Sequence, residues 1–300
     1  MNILNDWLLL SLVYSPYGVI TNGITSNNDF WSLLEYPFMQ RAIIGAVLMG
    51  IVGGLLGSFV TLRQLSFFSH AVGHAALVGV ALGVLLNLNP TWMLLPFSLV
   101  FGVAVLYFID KTDLASDSVL SIVLSGALAI GLILTSLIKS YRGNLMSVLF
   151  GDILAIDNTD LLLTLILLVG SSVFLLSTLR QQILLTLNPA VAQVQGIPVQ
   201  IYRYGFVILL ALAVAVAIKA VGVLLVNAFL VIPASTAKLI SHHFSYFLII
   251  SVILGAITSF GGLILSGMFR ELASGPSIVL VQFVVFLSVF SLVKLIRRPV

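Results

Sequence analysis

Two histidines, His70 and His74, stand four residues apart in the run SFFSHAVGHAALVGVALG, residues 66–83. On an α-helix that spacing is about 40° of rotation and one turn of rise, so both imidazoles share one face. Ser69, Ala71, Gly73, Ala75 and Ala76 surround them with small side chains. Ionisable residues inside a membrane span usually face a cavity or a pathway. Two imidazoles at this spacing can share a borderline-soft cation such as zinc. Only neutral imidazole is a competent ligand, so acid should weaken such a site. The bland alternative is a pair of histidines bonded to backbone or hydroxyl groups of neighbouring helices. The spacing resembles the HExxH zinc-protease motif only superficially, because residue 71 is Ala and the general-base Glu is missing. A second candidate is Glu271, beside Arg270 in a short connection. It is either an interfacial salt-bridge partner or an acid at the mouth of a pathway. Cysteine is absent, which removes disulfides, thiolate metal sites and a Cys nucleophile. Neither GxxxxGK[ST] nor a GxGxxG loop occurs, so if transport is ATP-driven the ATPase is another polypeptide.

The elements that hold these residues are set by composition. Of 300 residues, 60% are hydrophobic and 8% charged, against roughly 25% charged in ordinary soluble domains. Mean hydropathy is +1.22. A soluble enzyme, a nucleic-acid binder and a disordered chain are excluded, and an all-α polytopic transmembrane bundle is expected. Nine stretches are long enough to span: 41–61, 66–87, 91–109, 117–138, 160–179, 201–218, 220–238, 245–268 and 276–296. The runs are continuous rather than alternating, which excludes a barrel. Residues 1–40 form a separate extracytoplasmic or interfacial segment, with 7–20 interfacial or re-entrant and 21–35 a polar loop. Residues 41–300 form one permease-like domain. With the C-terminus cytoplasmic, eight of thirteen Lys/Arg fall inside (Arg63, Lys111, Arg180, Arg203, Lys238, Lys294, Arg297, Arg298) and only three of ten acids do. That agrees with the positive-inside rule.

Three further segments carry information. Gly45, Gly50, Gly53, Gly54 and Gly57 give small faces for close helix packing. In LNPAVAQVQGIPVQ (187–200), Asn188 is an N-cap, Pro189 sits at N1, Gly196 follows the helix and Pro198 blocks its continuation. The result is a helix of about two turns on the cytoplasmic side, either a connector or a docking element whose small residues Ala190 and Ala192 admit a partner. Within 220–240, Asn227 interrupts an apolar run and Pro233 breaks the backbone ladder, with Ser235 and Thr236 able to bond freed carbonyls.

Four motifs together make the chain resemble the membrane permease subunit of bacterial ABC importers for zinc, manganese or iron(II). They are GSFVTLRQLSFF leading into SHAVGHAALVGVALG, SVLFGDILAIDNTDL, NPAVAQVQGIPV followed by AVGVLLVNAFLVIPASTAKL, and ELASGPSIVL. The resemblance runs from about residue 36 to 296. It implies a homodimeric permease in the bacterial inner membrane, a separate ATP-binding cassette subunit and an extracytoplasmic metal-binding protein. It implies no permanently bound cofactor and no catalysis in this chain. His74 falls on the family's motif histidine, His70 where most members have Asp, and Glu271 where the family has Asp. All three would lie along the metal route. Residues 188–196 fall on the ATPase-docking segment, with Asn188, Pro189, Ala190, Ala192 and Gly196 as its marks. Val78 stands where Pro is common, and Asn227 where Ser or Thr is common. Imidazole in place of carboxylate tilts the expected substrate toward zinc. The competing classes are a secondary cation transporter, for which no internal repeat is evident, and an intramembrane protease, which lacks its Glu.

Overall fold

In hydrocarbon every backbone N–H and C=O must be bonded within its own segment, so apolar runs of this length fold as helices. The structure, a computed structural model, describes residues 35–88, 90–137, 149–269 and 272–296. In chain order its helices are α1 (Pro37–Leu62), α2 (Ser66–Leu85), α3 (Pro90–Lys111), α4 (Ser116–Leu137), α5 (Asn158–Ser177), α6 (Leu179–Leu187), α7 (Pro189–Val194), α8 (Val199–Val221), α9 (Val226–Ile240), α10 (Phe244–Met268) and α11 (Ser274–Ile296). A single 3-10 turn, Ile153–Ala155, precedes α5. No strand occurs among the described residues. The segment expected at 7–20 lies outside the described residues. The first span opens at Pro37, ahead of the expected 41.

Among the described residues eight helices are long and apolar enough to cross a membrane, and a further one, α9, is apolar but has 15 residues. At 1.5 Å per residue it covers about 22 Å, short of the roughly 30 Å hydrocarbon core. The expected 220–238 span is therefore a shorter helix with an irregular lead-in, for a reason that lies elsewhere in the chain. Helix α8 continues to Val221 and stops at Gly222, whose φ is +87. The segment before α5 folds onto this break. The Leu224 N–H donates to the Leu149 carbonyl at 3.2 Å, and the Asp152 N–H to the Lys219 carbonyl at 3.0 Å. The Ile153 N–H donates to Ser274 Oγ at 3.1 Å, which ties in the start of α11. A Cβ on Gly222 would lie 2.3 Å from the Leu149 carbonyl oxygen, so the two backbones meet only because that side chain is missing. Irregular backbone at this depth is tolerated because it is bonded to protein.

Helix α1 is the hub of the bundle. Its glycine face sits on α10 and α9: a Cβ on Gly50 would lie 2.3 Å from the Gly255 carbonyl oxygen, and one on Gly57 would lie 2.0 Å from that of Leu230. Ser251 Oγ donates across the same contact to the Gly54 carbonyl at 2.8 Å. This is the small-residue packing that replaces hydrophobic driving force between helices in lipid. Helices α1, α2 and α8 are mostly buried, whereas α4, α5 and α11 expose most of their apolar surface. Leu132, Ile133 and Val173 point outward on this exposed belt.

The two ends of the bundle differ. At one end Arg203 forms an ion pair with Asp110, and Arg63 bonds to α6. At the other end Lys219 pairs with Asp160 and lies 3.9 Å from Asp157. Asp157 and Asp160 form a reciprocal capping box at the start of α5. The Asp160 N–H donated to Asp157 holds its carboxyl below the ordinary carboxylate range, with Lys219 adding to the effect.

Candidate functional site

Helix α2 forms because its small residues and its apolar residues each fit a crowded position between helices. Gly73 faces the α8–α9 junction, where a Cβ would lie 3.1 Å from Val226 Cγ1. Gly79 faces α3, where a Cβ would lie 2.9 Å from Phe97 Cβ. Gly131 of α4 faces the turn holding Leu77 and Val78, where a Cβ would lie 3.5 Å from Val78 Cγ2. With three sides so closely packed, the rotation of α2 is fixed, and so is the direction of its histidine face.

That face brings His70 and His74 together. Their ring centroids are 4.5 Å apart and the planes cross at 83°. His74 is buried, with 8% of its surface exposed, and His70 is half-buried. Among the described residues the Nδ1 of His74 is buried with no hydrogen-bond partner. A buried polar nitrogen without a partner costs free energy comparable to a lost hydrogen bond. Among the described residues no group of three or more His, Cys, Asp or Glu converges. Glu271 lies outside the described residues.

Asn227 has a role the sequence left undefined. Its Oδ1 accepts from Ser69 Oγ at 2.9 Å, joining α2, one residue before His70, to the first turn of α9. Thr236 Oγ1 donates to the Ile232 carbonyl at 2.8 Å, and α9 runs through Pro233 without breaking. The only sequence signal for the Ser69–Asn227 contact was a polar residue in each of two apolar runs.

The short helix α7 folds as its caps dictate. Asn188 Oδ1 accepts from the N–H groups of Ala190 at 3.0 Å and Val191 at 3.3 Å. Pro189 occupies the first helical position. Gly196 closes the end at φ +76, and the Ile197 N–H returns to the Ala192 carbonyl at 3.1 Å. Ala192 is fully buried against Leu185 and Val199, so its small size serves packing within the chain, not approach by a partner. The large apolar side chains exposed here are Leu187, at the end of α6, and Val191 and Val194 of α7; Val194 is 89% exposed.

Comparison with known proteins follows from this geometry. The ABC 3 transport family matches residues 35–293. A manganese transport system membrane protein, MntC, from Listeria monocytogenes is 32% identical over 258 residues, covering 86% of this chain and 91% of that protein. The high-affinity zinc uptake system membrane protein ZnuB from Haemophilus influenzae is 33% identical, covering 86% of this chain and 98% of the relative. Among solved structures, PsaBC from Streptococcus pneumoniae in complex with Fab superposes with a TM-score of 0.76 at 33% identity, covering 87% of this chain and 94% of that one.

Proposed function

The chain belongs to the ABC 3 transport family, and on that premise we propose that it is the transmembrane subunit of an ATP-driven importer that carries zinc in preference to manganese. It is a multi-pass protein of the bacterial inner membrane, and ATP hydrolysis belongs to a separate chain. The cargo and the route are the proposed part. The observation that carries them is the edge-to-face His70–His74 pair on one face of α2, with the His74 Nδ1 buried and, among the described residues, without a hydrogen-bond partner. Imidazole suits zinc, whereas manganese favours carboxylate oxygen. Two permissive ligands suit transport, because a closed four-ligand site would trap the ion. Glu271 is the candidate acid at the outer mouth. Helix α7 is the candidate docking element for the ATPase, through Leu187, Val191 and Val194. Asn188, Pro189, Ala190, Ala192 and Gly196 fix its shape. A second copy of the chain and an extracytoplasmic metal-binding protein complete the proposed assembly.

Manganese is the second reading, favoured by the name of the Listeria relative. The deciding experiment reconstitutes the permease with its ATPase and binding protein in proteoliposomes and measures ATP-dependent uptake of each ion. Zinc accumulation that outruns manganese supports the proposal; uptake of manganese alone would replace zinc as the cargo.

A further inference from the structure

Arg63 caps α1, with its N–H donating to the Phe59 carbonyl at 2.9 Å. It begins the tight connection to α2, in which Gln64 takes φ 58 and the Leu65 N–H returns to the Val60 carbonyl at 2.9 Å. Because this turn is bonded to both helices, a displacement of Arg63 moves the N-terminus of α2. His70 lies on the second turn of that helix.

The guanidinium does not stay on its own turn. Its Nε donates to Thr186 Oγ1 at 3.0 Å, and an Nη donates to the Gln182 carbonyl at 3.2 Å and also to Gln182 Oε1. Its carbon lies 4.6 Å from the centroid of Phe206 on α8 and 5.6 Å from that of Phe59 on α1. Gln182 is fully buried, and Thr186 Oγ1 donates in turn to the Gln182 carbonyl at 2.7 Å. Both residues belong to α6, and Asn188 is at once the C-cap of α6 and the N-cap of α7. A single side chain therefore joins the docking segment to the turn that leads into the histidine helix.

The character of this joint is unusual for a purely structural staple. Arg63 is half-buried, yet among the described residues it forms no ion pair. Burial, with Arg203 nearby, lowers its pKa to about 10, so it remains charged at neutral pH. Every partner is a neutral acceptor or a ring. Such a contact is directional and can be broken and remade more readily than a buried ion pair, whose separation strands two charges. A cavity of about 670 Å³ opens beside it, lined among others by Leu62, Gln64, Thr186, Pro189 and Phe206. The turn and the base of α7 thus share a space into which either can move.

We propose that Arg63 is a positioning residue for transport: a latch that carries displacement of α6–α7 into α2 and so couples the ATPase to the histidine pair. The proposal rests on the reading of α7 as the docking helix. It is tested in the complete importer, reconstituted in proteoliposomes with its ATPase and binding protein, with zinc ion as the probe. Zinc moved per ATP hydrolysed is read beside ATPase retention. Arg63→Gln removes the guanidinium and all three of its bonds to α6, whereas Thr186→Val removes the bond from Nε; in the assembled complexes zinc moved per ATP falls by about tenfold in the first and by severalfold in the second. Thr186→Ser restores the hydroxyl and with it the wild-type ratio, a rescue that lost packing would not give. If Arg63→Gln fails to assemble, the Thr186 pair decides. An unchanged ratio in Thr186→Val overturns the latch while leaving docking intact. The docking reading has its own arm: Val194→Asp should release the ATPase, and full retention there overturns docking at α7.

Discussion

His70 is the residue at which substrate choice should be most easily moved. It is half-buried, its ring crosses that of His74 at 4.5 Å, and it stands one residue after the Ser69–Asn227 link. His70→Asp puts a hard oxygen donor in place of an imidazole on an otherwise unchanged helix face. The expected outcome is retained transport with the manganese-to-zinc ratio raised by about tenfold, on the scale of 1.4 kcal/mol in relative binding. Competitive uptake of the two ions by the reconstituted importer measures it. An unshifted ratio would assign His70 to packing. The shared face of the two histidines was legible from their spacing alone. The bare Nδ1 of His74 was not, because burial and bonding of a side chain depend on tertiary packing that spacing does not encode. Arg63 was visible in sequence only as a positive charge on the inner side, since its partners Gln182 and Thr186 lie more than a hundred positions away.

At the scale of elements, α7 shows what local sequence can specify. Its cap, its first-turn proline and its closing glycine are all nearest-neighbour features, and each appears where the residues ask for it. A β-branched residue at φ +76 is strained, and nothing lies within 4 Å of the position a Cβ would take at Gly196. The effect of Gly196→Val is therefore purely on the backbone, at about 1–2 kcal/mol. The complex should stay folded while coupled ATP hydrolysis falls severalfold; wild-type hydrolysis would show that the orientation of α7 does not matter. The α1 packing face behaves differently. Gly57→Leu would drive a side chain into the Leu230 carbonyl, where even a Cβ approaches to 2.0 Å. Overpacking of this kind costs about 1–3 kcal/mol and should lower the melting temperature of the detergent-solubilised protein. An unchanged midpoint would mean that α1 and α9 are not in contact there. The division between α8 and α9 was expected at residue 219, and the structure moves it to 222–225 for a physical reason. Residues 220–226 are apolar apart from Gly222, and the break there is set by a distant segment, Leu149–Ile153, that bonds to it. The burial of Ala192 escaped for the same kind of reason, because its neighbours Leu185 and Val199 belong to the flanking helices.

Across the whole molecule, the alternation of spans gathers Arg63, Lys111, Arg203 and Lys238 at one end and Lys219 with Asp157 and Asp160 at the other. The positive-inside rule makes the first end cytoplasmic. Val194 is 89% exposed at that end, and the chain has no native cysteine, so Val194→Cys is a clean reporter. An impermeant thiol reagent should label it in inverted vesicles and not in intact cells; labelling from outside would reverse the orientation and move α7 away from any cytoplasmic ATPase. The central claim is narrower, that metal crosses this bundle by way of the α2 histidines. The most direct measurement is ATP-dependent zinc uptake by the reconstituted importer carrying His70→Ala and His74→Ala together, with ATPase retention checked in the same vesicles. The account predicts an assembled complex whose zinc uptake is reduced to background. Unchanged zinc uptake in that double variant would contradict it and leave both histidines as packing residues.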